Sequence, residues 1–88
     1  MVEIERQPAT FHVAGKTRDN IPMGDHDGYV EWMTVHLRGQ PHRQIAKCML
    51  HLERSRFPKF FSPKNSMTAM MVNVIPDVRA GKIQFTLG

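Results

Sequence analysis

The residues with most chemistry to offer are five histidines (His12, His26, His36, His42 and His51), the single cysteine Cys48, and three phenylalanines set among basic residues. Cys48 and His51 stand three apart, a spacing that lets both reach one metal from a helix. No second close pair accompanies them, and a structural zinc site takes two such pairs. The run Asp25-His26-Asp27-Gly28 lacks the third acidic ligand and the downstream glutamate of a calcium loop, and reads as a tight polar turn before a strand. No metal and no cofactor are expected.

Catalytic signatures are equally thin. The chain carries no glycine-rich phosphate loop, no Gly-x-Ser-x-Gly and no close acid pair suited to proton transfer. Cys48 falls inside an apolar stripe, the setting of an inert buried thiol. A compact nuclease using His12 or His36 with Glu31 is the one enzymatic alternative, and nothing in the spacing favours it. The expectation is a non-enzymatic protein.

Binding chemistry is better represented. Residues 54–66 read RSRFPKFFSPKNS and interleave Phe57, Phe60 and Phe61 with Arg54, Arg56, Lys59 and Lys64. Single-stranded nucleic acid is held by this combination: bases stack on rings at roughly 1–3 kcal/mol each while cations track the phosphates. The competing reading plugs the rings into the domain's own core, and a third uses them as anchors for a protein partner.

Just upstream, residues 41–56 (PHRQIAKCMLHLERSR) carry Ile45, Cys48, Met49 and Leu52 at steps of three and four, the stripe of an amphipathic helix. Pro41 suits the first helical position and Pro58 ends the element. Arg43, Lys47, His51 and Arg54 then fall at i, i+4, i+8 and i+11, within about 80° of one another on the wheel. A basic helix face leading into an aromatic loop is one continuous polyanion surface, in which each cation displaces condensed counterions. The candidate nucleic-acid-binding set is Arg43, Lys47, His51, Arg54, Arg56, Lys59, Phe60, Phe61 and Lys64.

Charge distribution points the same way. The net charge is +4, with a sequence pI near 9.7. Residues 1–31 hold six acids against Arg6, Lys16 and Arg18, whereas residues 32–88 hold nine Lys or Arg against Glu53 and Asp77. Such asymmetry marks an electrostatic partner surface unless folding lays the acids over the bases. The polyanion reading therefore falls if Glu3, Glu5 or Glu31 closes onto Arg43, Lys47 and Arg54.

The elements that must position these groups follow from the periodicity. Val2 and Ile4 alternate with Glu3 and Glu5 as a short strand that Pro8 interrupts, and residues 10–16 read as a second. Residues 17–28 are a loop dense in turn formers. Residues 29–38 (YVEWMTVHLR) are the strongest strand, with Tyr29, Met33, Val35 and Leu37 on one face and Val30, Trp32, Thr34 and His36 on the other. Both faces are partly apolar, so this strand is expected to be covered on both sides or to meet a second subunit. After the helix and the phenylalanine loop come a buried strand at 67–75, a turn at 76–81 and a strand at 82–87.

The expected fold is a single α+β domain over residues 1–88, an antiparallel sheet of about four strands with one central helix on one face (β-β-α-β-β). One sheet face is left open to a ligand or to a homodimer partner. The acidic start with no apolar core is unlike a signal peptide, no apolar run approaches the ~20 residues of a membrane span, and a lone cysteine suits a reducing, cytoplasmic setting. Nucleic-acid binding, with single-stranded DNA or RNA favoured, is the leading functional expectation. A protein-interaction module, an inhibitor or adaptor of a larger complex using the acidic N-terminal third and exposed aromatics, is the alternative.

Overall fold

The computed structural model describes residues 2–88. Three long strands dominate it: β1 (Val2–Val13), β2 (Gly24–Leu37) and β3 (Gln40–Glu53). Two short strands, β4 (Ala69–Asn73) and β5 (Ile83–Leu87), complete one antiparallel sheet in the order β4-β3-β2-β1-β5. A single 3-10 turn, η1 (Pro58–Phe60), and one five-residue helix, α1 (Ile75–Arg79), are the only helical elements among the described residues. The expected central helix packed on a sheet face is therefore not part of this fold.

The error has a specific cause. Along β3, Cys48, Leu50 and Leu52 alternate and are fully buried, as a strand requires. The register against β2 then slips: Glu31 pairs with Lys47 but Trp32 pairs with Ile45. Ala46 is the extra residue of a β-bulge, which shifts the phase by one. Ile45 consequently shares the face of Cys48 although three residues separate them, and a bulged strand imitates a helical stripe.

The β2–β3 connection was also disguised. Arg38 and Gly39 both have positive φ, 52° and 77°. This is the two-residue turn whose twist matches a hairpin. Arginine in place of the usual Asn or Asp hid the signal, and Pro41 then looked like a helix start. In the sheet Pro41 pairs with His36 at the hairpin end. No strand flanks β3 at that level, so the missing N–H leaves no partner wanting.

Pro8 does not interrupt β1. Its carbonyl accepts from the N–H of Gly88 at 3.0 Å, so its backbone points away from β2 and its ring costs the β1–β2 ladder nothing. Residues 24–28, expected as loop, extend β2 downward, while α1 takes Ile75, expected as the end of a strand, and residues 76–79, expected as turn. The strands expected over 29–38, 67–75 and 82–87 overlap β2, β4 and β5.

One sheet face carries the core. Ala9, Phe11, Val13, Val30, Cys48, Leu50, Leu52 and Ile83 are buried there, roofed by Ile21, Phe61 and Val74, with Phe57, Phe60, Ile75 and Val78 packed against the cluster. Gly28 is required at its centre: a Cβ there would overlap the Met49 carbonyl and lie 2.8 Å from Cε2 of Phe11. The absent side chain lets the Phe11 ring lie flat across the sheet.

The molecule has extents of 50 × 28 × 22 Å, and the long axis matches fourteen-residue strands at about 3.3 Å per residue. β5 pairs only with residues 9–13 of β1, and β4 only with residues 49–53 of β3. Above that level, residues 2–7, 31–37 and 40–47 continue as a three-stranded arm beyond the core.

Candidate functional site

The proposed basic surface does not assemble. Cross-strand pairs share a face, so the bulge at Ala46 sends Arg43 to one side, opposite Thr34, and Lys47 to the other, opposite Glu31. Arg43 lies over the Trp32 ring, 4.1 Å from its centroid, and its Nη2 is 3.4 Å from Oε2 of Glu5. Lys47 Nζ is 3.8 Å from Oε2 of Glu31, and Arg6 Nε is 3.5 Å from the other oxygen of the same carboxylate. Arg54, half-buried just past β3, donates from Nη1 to the carbonyl of Asn65 and so ties down the loop. Arg43 is thus paired with Glu5, Lys47 shares the Glu31 carboxylate with Arg6 on the other face, and Arg54 is used internally.

The phenylalanine loop turns inward. Phe61 is buried, and Phe57 and Phe60 are partly buried against the core. Arg56 stacks on Phe57 at 5.0 Å, and His26 packs on the same ring at 5.4 Å while its Nε2 bonds the Pro22 carbonyl at 2.7 Å. Lys59 and Lys64 remain exposed. Pro22, Arg56, Phe57, Pro58, Lys59 and Phe60 line a shallow hollow of about 260 Å³. His51 sits apart, in an open cleft of about 550 Å³ with Glu53, Arg54, Ser55, Thr68 and Ala69.

Residues considered for chemistry do not converge. His12 bonds Asp25 at 2.6 Å at the lower end of the sheet, and His36 is 3.4 Å from Glu3 on the arm. Glu31 lies between them on the sheet, held by Arg6 and Lys47. Among the described residues no three His, Cys, Asp or Glu side chains come together as a metal set. Cys48 is fully buried, and burial raises its thiol above the ordinary value of 9.0, a shift that the Arg79 charge partly offsets.

What the fold does expose is aliphatic. Every element outside the sheet that joins the core packs on one face. On the opposite face of the arm, Val2 pairs with Val35 and Ile4 with Met33. Leu37 continues the column to the hairpin tip. Val2, Ile4 and Leu37 are each more than half exposed, at 55%, 56% and 55%. Exposed apolar residues scattered singly are ordinary, but a contiguous stripe on one sheet face marks an interaction surface. Polar groups frame it: His42 and Gln44 on β3, Arg6 and Lys47 at its lower end, Arg38 at the tip.

Half of this stripe was legible. Tyr29, Met33, Val35 and Leu37 alternate on one face of the strongest predicted strand, but that strand was expected to be covered on both faces or to join a second subunit, so this face was not singled out as open. Val2 and Ile4 were missed as its other half because pairing of the first strand with β2 has no local sequence signal. The aromatics expected to dock a partner are instead half-buried or buried, Trp32 under Arg43 with its Nε1 donating to Gln7 at 3.1 Å.

Among the described residues no helix is long and apolar enough to cross a membrane. No family model matches the chain, and neither curated proteins nor solved structures give a significant match.

Proposed function

We propose that this chain is a non-enzymatic protein-docking module that engages its partner through the uncovered face of the arm. The observation that supports this reading is the aliphatic stripe of Val2, Ile4, Met33, Val35 and Leu37, carried on strands that continue beyond the core. Fourteen-residue strands are long for a domain of this size, and the extension adds little to the core. Its burial against a partner is what makes the length worthwhile, at about 25 cal/mol per Å² of apolar surface removed from water.

The arm's backbone edges are a poorer docking route. Glu3 and Glu5 stand on the β1 edge, and Pro41 with the bulge at Ala46 interrupts the β3 edge. Charges, prolines and bulges are devices that keep sheet edges from pairing. The face, not the edge, is left open. Nucleic-acid binding loses the helix that was to carry it, and Arg43 with Glu5 and Lys47 with Glu31 lie on opposite faces of the sheet, so no single surface gathers these cations for a phosphate backbone.

The test is a nuclease-treated native pull-down with wild-type bait and with an Ile4→Lys/Val35→Lys double variant. Wild type is expected to retain a defined protein that the variant loses while keeping its fold by circular dichroism. Salt-sensitive binding of an added oligonucleotide by both baits in a parallel arm without nuclease, with no protein difference between them, would reverse the reading.

A further inference from the structure

The arm sorts its charges by face, and this sorting identifies the kind of partner. On the core-side face of the arm, Glu3 and Glu5 are met by His36 and Arg43. On the stripe face the cations are Arg6 and Lys47, whose side chains are 65% and 54% exposed, and the arm's one acid on that face, Glu31, is 10% exposed beneath them. Its two oxygens each face one cation. What a visitor meets is two cationic side chains beside an aliphatic surface, with Arg38 at the tip. Asp25 and Asp27 lie beyond Tyr29 at the far end of the same face, so the cationic stretch is confined to the arm.

Dimensions narrow the choice further. From Tyr29 to Leu37 the β2 column spans about 26 Å at ~3.3 Å per residue. A helix of about 17 residues has that length, and its ~10 Å width covers two to three strands. Covering an open sheet face with a helix is also the standard layered solution. A second copy of this chain fits less well. With a twofold axis along the strands Arg6 lands on Lys47 of the other copy, and with an axis crossing the strands at Ile4 it lands on Val2. Either arrangement sets a cation that shares the single Glu31 carboxylate against a cation or an aliphatic side chain of the other copy, with no further acid to meet it, and burying such half-compensated charge is unfavourable.

Resting on the docking role proposed above, we infer that the arm receives an amphipathic helix of another protein whose apolar stripe is flanked by carboxylates. Its aliphatic side chains cover Ile4, Met33 and Val35, and its acids meet Arg6 and Lys47. Those two cations are already preorganised by Glu31 beneath them, and the incoming carboxylates complete a network that the free protein leaves open to water.

The experiment uses two fluorescein-labelled amphipathic peptides of about 17 residues with the same leucine stripe, one flanked by glutamates and one by lysines, titrated against the full chain by fluorescence anisotropy. The glutamate-flanked peptide is expected to bind at least tenfold more tightly at low salt, with the advantage collapsing at about 1 M salt, where the screening length falls to roughly 3 Å. The triple variant Arg6→Gln/Glu31→Gln/Lys47→Gln removes the charges together, leaves no ion stranded, and is expected to erase the preference while retaining affinity. Equal binding of the two peptides by wild type, lost in Ile4→Lys/Val35→Lys, would overturn the acidic-helix inference and leave the docking face standing. No binding of either peptide overturns the inference. If the pull-down is also indifferent to the double variant, the docking reading falls with it. A dimer in sedimentation that the double variant abolishes, or a labelled oligothymidine bound at the arm, would likewise overturn it in favour of a second copy or a nucleic acid.

Discussion

The two ends of the sheet are built from the same three strands and behave as different materials. At the lower end, β4 and β5 widen the sheet to five strands, and loops and α1 roof one face, so that Phe11, Leu50, Leu52 and Ile83 reach 0–1% exposure. In the arm the stripe face is left unroofed, and Val2, Ile4 and Leu37 stay more than half exposed. Sequence composition does not separate the two ends: Leu50 and Leu52 are no more apolar than Ile4 and Leu37. What separates them is whether a later segment returns to cover the strand. Stability resides in one end, and the capacity to bind is left in the other.

Mutations should split along this line. The largest effect is expected at Gly28→Val, because the new side chain must displace the Met49 carbonyl and the Phe11 ring. Overpacking of this kind costs about 3 kcal/mol, and the urea midpoint should fall accordingly. Next comes the direct contrast. Leu52→Ala, in the roofed end, is expected to cost about 2–5 kcal/mol. Ile4→Ala and Val35→Ala, in the arm, should each stay within roughly 0.5 kcal/mol of wild type, as surface substitutions do. An arm variant as damaging as Leu52→Ala would mean that the stripe is packed in the free chain and would break the comparison. Between Leu52→Ala and the two arm variants lies Arg43→Ala, which removes a stacked guanidinium and an exposed ion pair, each worth about 0.5–1 kcal/mol at most. Its value lies in its readout: Trp32, the only tryptophan, should shift its emission to the red as its cover is lost.

β2 and β5 could be read from their composition and alternation, and β4 from its continuous apolar run, because each is short or regular. The helix assigned to residues 41–56 could not be corrected from sequence, since Ile45, Cys48, Met49 and Leu52 satisfy a helical period and a bulged strand alike. Only the pairing of Trp32 with Ile45 distinguishes them, and that contact is made by a different segment. The candidate site shared the fate of the helix. Arg43, Lys47 and His51 were grouped by a wheel that the backbone does not follow, and the pairing of Arg43 with Glu5 and of Lys47 with Glu31 depends on strand neighbours that lie far away along the chain. That Tyr29, Met33, Val35 and Leu37 share a face was legible, because side-chain direction in a regular strand is a local property, but which face later segments cover was not.

The extra residue at Ala46 has one more consequence. It works as a points lever on a railway: below it odd-numbered side chains of β3 run to one side of the sheet, and above it they run to the other. Deleting that single alanine would leave Ile45 opposite Trp32 and Lys47 opposite Glu31, so every side chain would keep its side and only the local bend and extra twist would go. The lower portion, whose register is locked by β4, would be undisturbed. A change of length at this point therefore re-aims the arm while leaving the alphabet on its surfaces as it was.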